Sequence, residues 1–160
     1  KGVIMKEQFT PIYLSKKGMK DLRKSISKLE RSITTAQAEL RELEYGTSHE
    51  DRFERIGKLS QIESLESELA EKRHQLANAK ILPRKRDALK VVLGSVVDLI
   101  DTNGRIVQYT LVESIEANPS DGRISVNSPL GQSLIGRKVR EIIEWGTESR
   151  INQMRLVSIH

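Results

Sequence analysis

The residues best suited to chemistry in this 160-residue chain lie in and around one polar stretch, Tyr45-Gly46-Thr47-Ser48-His49-Glu50-Asp51. Glu50 and Asp51 are adjacent carboxylates, and Glu39, Glu42 and Glu44 come shortly before them. Crowded carboxylates of this kind can hold a hard cation such as Mg2+ and orient a water bound to it. Thr47 adds a neutral oxygen. Arg52, Arg55 and Lys58 follow, with a charge suited to phosphate oxygens. The plainer reading is a solvated helix surface, with pairs such as Asp51 and Arg55 one turn apart. The three histidines, His49, His74 and His160, offer no pair at metal-ligand spacing. There is no Cys, which excludes disulfides, thiolate zinc sites and Cys nucleophiles and suits a reducing cytosol. No Gly-rich phosphate loop and no supported Ser-His-Asp order is present. The chain does not read as an enzyme in its own right, and no cofactor of its own is expected.

Two long helices must carry the polar stretch. Met19, Leu22, Ile26, Leu29, Ile33, Ala36, Leu40 and Leu43 recur at alternating steps of 3 and 4, one seam of a coiled coil. Ile56, Leu59, Ile62, Leu65, Leu69, Leu76 and Ala79 form a second stripe. So short a link folds the helices back on each other as an antiparallel hairpin. Ser15 is placed to cap the first helix and Gly46 to close it, and Ser48 or Asp51 to cap the second. Helices at about 15–45 and 50–82 give an N-terminal coiled-coil finger over residues 1–83, ending at Pro83. About 30 residues at 1.5 Å each make a reach of roughly 45 Å. Residues 1–4, before Met5, read as a remnant or a trimmed start.

Charge content is 31% and net charge +5, which permits contact with nucleic acid or an acidic protein surface. Lys16, Lys17, Lys20, Arg23, Lys24, Lys28 and Arg31 concentrate on the first helix. Glu63, Glu66, Glu68 and Glu71 fall opposite, with position 28 near position 69, so the run is expected to pair across the hairpin. A basic face toward a phosphate backbone is the alternative. No apolar run approaches a membrane span, and no membrane partner is expected.

Residues 84–89 read as a basic linker, and residues 90–160 as an α+β domain with a twisted antiparallel sheet. Strands are expected over Val91–Ile100, Arg105–Val112, Ile124–Val126, Val139–Trp145 and Ile151–Ile159. Asn103-Gly104 suggests a type I′ turn. Ser128-Pro129 opens a short helix, with Ser as N-cap and Pro at its first position.

Ile124-Ser125-Val126-Asn127-Ser128-Pro129-Leu130-Gly131-Gln132-Ser133-Leu134-Ile135-Gly136 closely resembles the "ISxxSPxGxxLIG" signature of the bacterial Gre factor family of transcript-cleavage elongation factors. Leu14-Ser15-Lys16-Lys17-Gly18 is similar to that family's opening of helix 1, Leu76–Leu82 to its end of helix 2, and Gly94-Ser95-Val96-Val97 to its first C-terminal strand. The likeness runs from about residue 12 to 160. It implies a coiled-coil hairpin plus an FKBP-like C-terminal domain, and bacterial RNA polymerase as partner. The C-terminal domain would dock at the secondary-channel rim through Asn127, Ser128 and Pro129, and the finger would pass toward the active centre. Cleavage-competent members carry Asp and Glu at the tip, where they help hold the polymerase's second Mg2+. Glu50 matches the family Glu as the shared metal ligand, but Thr47 stands where the family has Asp. Asp51 compensates only if the loop shifts register. Arg52, Arg55 and Lys58 would lie near the nascent RNA 3′ end, Lys58 matching a basic family position. Loss of the Asp points away from efficient cleavage, so two readings stay open: an elongation factor that stimulates cleavage of backtracked RNA, or a noncleaving occupant of the channel.

Other classes fit less well. A prolyl isomerase needs an aromatic pocket, and residues 84–160 hold only Tyr109 and Trp145 as aromatics. A direct nucleic-acid binder would use the basic run of the first helix. A bare structural adaptor leaves the tip and the Ser-Pro pair without a role.

Overall fold

The computed structural model describes residues 10–83 and 87–160. The remnant expected at residues 1–4 and the Arg84-Lys85-Arg86 part of the linker lie outside the described residues. The chain divides into two compact units, one over residues 17–79 and one combining 12–16 with 80–160. None of the described helices is long and apolar enough to cross a membrane.

The first unit is the helical hairpin, with α1 over Lys16–Leu43 and α2 over His49–Asn78. On α1, Met19, Leu22, Ile26, Leu29, Ile33 and Ala36 are buried, as the heptad spacing requires. On α2 only Ile62 and Leu69 are buried. Ile56 and Leu59, expected in the seam, are 64% and 50% exposed. Their places are taken by Arg55 and Lys58, because 55, 58, 62, 65 and 69 keep the alternating steps whereas 56, 59 and 62 drift off the face.

Cross-hairpin ion pairs run from Glu30 to Arg73, 2.8 Å, and from Glu39 to Lys58. Carried along the hairpin, these pairs set position 28 opposite positions 69 to 75, the region expected, but the expected ion pairs of the basic run are not made among the described residues. Among the described residues no ion pair joins Lys17, Lys20, Arg23, Lys24, Lys28 or Arg31 to Glu63, Glu66, Glu68 or Glu71. Glu68 instead meets Lys72 one turn on, at 3.9 Å.

The second unit includes a two-stranded ribbon of β1 (Ile12–Leu14) and β2 (Ala79–Ile81). This corrects the expected helix to residue 82: the chain turns extended at Ala79, and Leu82 N–H donates to the Leu14 carbonyl at 2.9 Å. Ser15 N–H and Oγ donate to the buried Glu116 carboxylate at 2.9 and 2.5 Å, a partner that no local pattern announces.

A five-stranded sheet follows, made of β3 (Val96–Ile100), β4 (Ile106–Val112), β5 (Arg123–Ser125), β6 (Ile142–Thr147) and β7 (Arg150–Ile159), in the order β5-β4-β3-β7-β6. The sheet is mixed rather than wholly antiparallel, because β5 runs parallel to β4. Residues 91–95, expected as strand, turn through Gly94 at φ 87° before β3 begins. The β3–β4 turn is not type I′: Gly104 alone takes positive φ, and Asp101 Oδ1 accepts from Asn103 N–H and Arg105 N–H. That carboxylate holds Asn103 in ordinary turn geometry and leaves the left-handed position to Gly104. Val97, Leu99, Leu111, Leu134, Ile143 and Leu156 form the fully buried core, with Tyr109 and Trp145 packed against it.

Candidate functional site

The fold presents two separate candidate regions, the hairpin tip and the start of α3 (Pro129–Leu134). At the tip, α1 ends at Leu43 and Gly46 N–H donates to the Leu43 carbonyl at 3.2 Å. The Asp51 side chain packs close to Gly46: a Cβ there would stand 2.4 Å from the Asp51 Cγ and would require that side chain to shift. Gly46 closes the helix without left-handed geometry, unlike the glycine cap expected.

Ser48 caps α2. Its Oγ accepts from Asp51 N–H at 3.0 Å, while Ser48 N–H and Oγ donate to Asp51 Oδ2 at 3.0 and 2.6 Å. This reciprocal capping box satisfies orphan donors of the helix start. The Ser48 hydroxyl, then its backbone N–H, hold the Asp51 carboxyl below its ordinary value. Asp51 therefore closes the helix, whereas Glu50 beside it is exposed and enters no ion pair among the described residues. Thr47 is exposed in the loop.

The three basic candidates separate. Arg52 is exposed. Arg55 turns inward, its Nη2 donating to the Leu43 and Gly46 carbonyls at 2.7 and 3.4 Å, so a cation sits at the negative end of α1. Lys58 bonds the Glu39 carboxylate across the hairpin and the Gln61 Oε1 at 3.1 Å. Two of the three expected RNA-facing cations thus tie the finger together.

At the second region, Ser128 is the N-cap of α3, its Oγ accepting from Gly131 N–H at 3.0 Å and donating to the Ser125 carbonyl at 2.6 Å. Asn127 and Pro129, on either side, are exposed. Asn127 is braced by its N–H on Ser125 Oγ and its Nδ2 on Ser114 Oγ, at 3.1 and 3.2 Å. Gly131 is buried against the chain before it, where a Cβ would stand 2.0 Å from the Ser125 carbonyl oxygen. The result is a hydrogen-bonded helix start with Asn127 and Pro129 exposed on either side of its cap.

Sequence reasoning missed the apolar character of the tip. Tyr45 and Phe53 are 89% and 75% exposed, next to Ile56 and Leu59. The phase break between 55-58-62 and 56-59-62 was the available signal.

The family described as "Transcription elongation factor, GreA/GreB, C-term" matches residues 86–160. The transcription elongation factor GreA of Prosthecochloris aestuarii is 33% identical over 140 residues, covering 83% of this chain and 86% of that one. Against the GreA of Zymomonas mobilis identity is 45% over 71 residues, and the match spans 45% of that relative's length. The Gfh1 crystal structure from Thermus aquaticus aligns with 94% of this chain and 99% of its own at 25% identity, with a TM-score of 0.44. On the extended match to the Prosthecochloris protein and the C-terminal family match, the chain belongs to the GreA/GreB family of transcription elongation factors.

Proposed function

We propose that this protein regulates transcript elongation in the cytoplasm by entering the secondary channel of bacterial RNA polymerase. The Asn127-Ser128-Pro129 helix start docks at the channel rim, and the hairpin tip reaches toward the active centre and the RNA 3′ end. Family membership supports the partner. The observation that carries the mechanism is the fate of Asp51: its carboxylate closes the capping box with Ser48. Thr47 is neutral, so of Thr47, Glu50 and Asp51 only Glu50 offers a carboxylate outside the capping box.

A second Mg2+ in the polymerase is held better by two carboxylates than by one, since hard cations favour charged oxygen ligands. The tip therefore fits poorly as a metal-recruiting device and better as a channel occupant that modulates the polymerase without stimulating cleavage. The protein then has no active site of its own.

A stalled, backtracked polymerase complex tests this. Wild-type protein should slow elongation and release no 3′ RNA fragment above the intrinsic rate, and Thr47→Asp should gain cleavage. Wild-type cleavage that disappears in Glu50→Ala would overturn the noncleaving reading and restore the cleavage factor.

A further inference from the structure

Among the described residues, one side chain stands on backbone that favours glycine. Arg140 takes φ 78°, and the other residues with positive φ are Gly94, Gly104, Gly122, Gly136 and Gly146. A Cβ in the left-handed region crowds the carbonyl that follows, and arginine lacks the short polar side chain that lets Asn or Asp visit it. The hydrogen bonds that hold this turn come from the backbone. Arg140 N–H donates to the Leu156 carbonyl at 2.8 Å, Leu156 N–H to the Glu141 carbonyl at 3.0 Å, and Glu141 N–H to the Lys138 carbonyl at 3.2 Å. Glycine would make all three without strain, so the turn itself has no need of the guanidinium. Strain of this kind concentrates where a side chain serves a ligand or a partner.

The surroundings of Arg140 define that partner. Arg137 and Lys138 precede it in the same loop. Lys90 joins them through Val91, whose N–H donates to the Arg137 carbonyl at 2.9 Å and whose carbonyl accepts from Gly136 N–H at 2.8 Å. All four cations are exposed, and none enters an ion pair among the described residues. The carboxylates beside them are Asp87 and Glu141. Each is hydrogen-bonded to backbone, Asp87 by Leu89 N–H at 2.8 Å and Glu141 by Lys138 N–H at 2.6 Å. Further out, Arg155 on β7 and Glu144 on β6 offset one another in sign, so the surface stays positive. Leu89, Ile135 and Val139 are exposed and interleaved with these cations. Arginine among apolar side chains suits a protein partner, whereas nucleic-acid interfaces are more polar.

We propose that the loop of residues 137–140, with Arg140 as its strained contact residue, is a second docking element that meets an acidic patch of the polymerase beside the channel rim. This rests on the polymerase reading given above. The loop is continuous with the Asn127-Ser128-Pro129 contact, because only α3, six residues and roughly 9 Å long, and two further residues lie between them. One partner's share of a standard interface, about 800 Å2, is wide enough to take in both.

Binding of the labelled full chain to core RNA polymerase, followed in real time at several salt concentrations, tests it. Arg140→Asn removes the charge and keeps a residue that tolerates the left-handed region. It should melt no lower than wild type and bind roughly 5-fold more weakly at low salt, as loss of an exposed ion pair does. The loss should lie mainly in the association rate, with a shallower salt dependence. Arg140→Gly should bind as weakly while its Tm rises by about 2–4 °C from relief of strain. Arg140→Lys should keep most of the affinity. Wild-type binding with Arg140→Asn unchanged in affinity and salt dependence overturns this inference and leaves the polymerase reading standing; a wild type that does not bind overturns both. A lower Tm in Arg140→Gly assigns the residue a structural role and overturns the strain argument. Affinity lost as fully in Arg140→Lys as in Arg140→Asn overturns the acidic partner, and so does tight binding to duplex DNA without polymerase that Arg140→Asn abolishes.

Discussion

Removing the Arg55 head should destabilise the finger, although the residue sits where a nucleic-acid contact was expected. Its Nη2 reaches the Leu43 carbonyl at 2.7 Å, and the 3.4 Å contact with the Gly46 carbonyl adds little. Loss of a hydrogen bond from a charged donor costs about 1.5–3 kcal/mol. Loss of a cation at a helix C-terminus costs a further ~0.3–1 kcal/mol. Against this, Arg55 Nε is buried with no acceptor, and truncation relieves about 1 kcal/mol of that desolvation. The net cost of Arg55→Ala is about 2 kcal/mol, roughly a 30-fold change in the unfolding equilibrium. Arg52→Ala, three residues earlier and exposed, should stay within about 0.5 kcal/mol of wild type. Urea unfolding followed by far-ultraviolet circular dichroism measures both. Equal stabilities for the two variants would refute the reasoning and return Arg55 to the RNA-facing set.

Gly131→Ala should destabilise the C-terminal unit by about 3 kcal/mol or more. Its Cβ would stand 2.0 Å from a backbone oxygen that cannot rotate away, and thermal unfolding should show a clear loss where a tolerant site would show none. Asp98 is held below its ordinary pKa first by the Ser158 hydroxyl, then by His160. Because the folded value is the lower one, this stabilisation is present above about pH 4 and fades as pH falls through the folded pKa. Ser158→Ala should raise the Asp98 pKa toward its ordinary value in a carboxyl NMR titration; an unmoved titration would contradict the assignment.

Most of the architecture was legible because its signals are local and periodic. The heptad of α1, the Ser128-Pro129 helix start and the Ile106–Val112 alternation each follow from short-range rules. The errors arose where a choice rested on a distant or competing partner. Ile56 and Leu59 look like seam residues until the alternating steps are followed back through Lys58 to Arg55. The end of α2 depended on β1, more than sixty residues earlier, and the partner of Ser15 on Glu116, 101 residues away. At the tip, the sequence showed which oxygens and cations were available but not how they were engaged. Asp51 was open to ligand or cap roles, and the structure shows its carboxylate hydrogen-bonded in the capping box with Ser48.

The claim that the tip reaches the polymerase active centre is tested most directly by site-specific photocrosslinking. A benzoylphenylalanine in place of exposed His49, in a backtracked elongation complex, should crosslink to polymerase segments lining the active centre or to the RNA 3′ end. A Pro129→Asp change at the rim contact should abolish the crosslink. Crosslinks confined to the outer polymerase surface, or equally strong with Pro129→Asp, would contradict it.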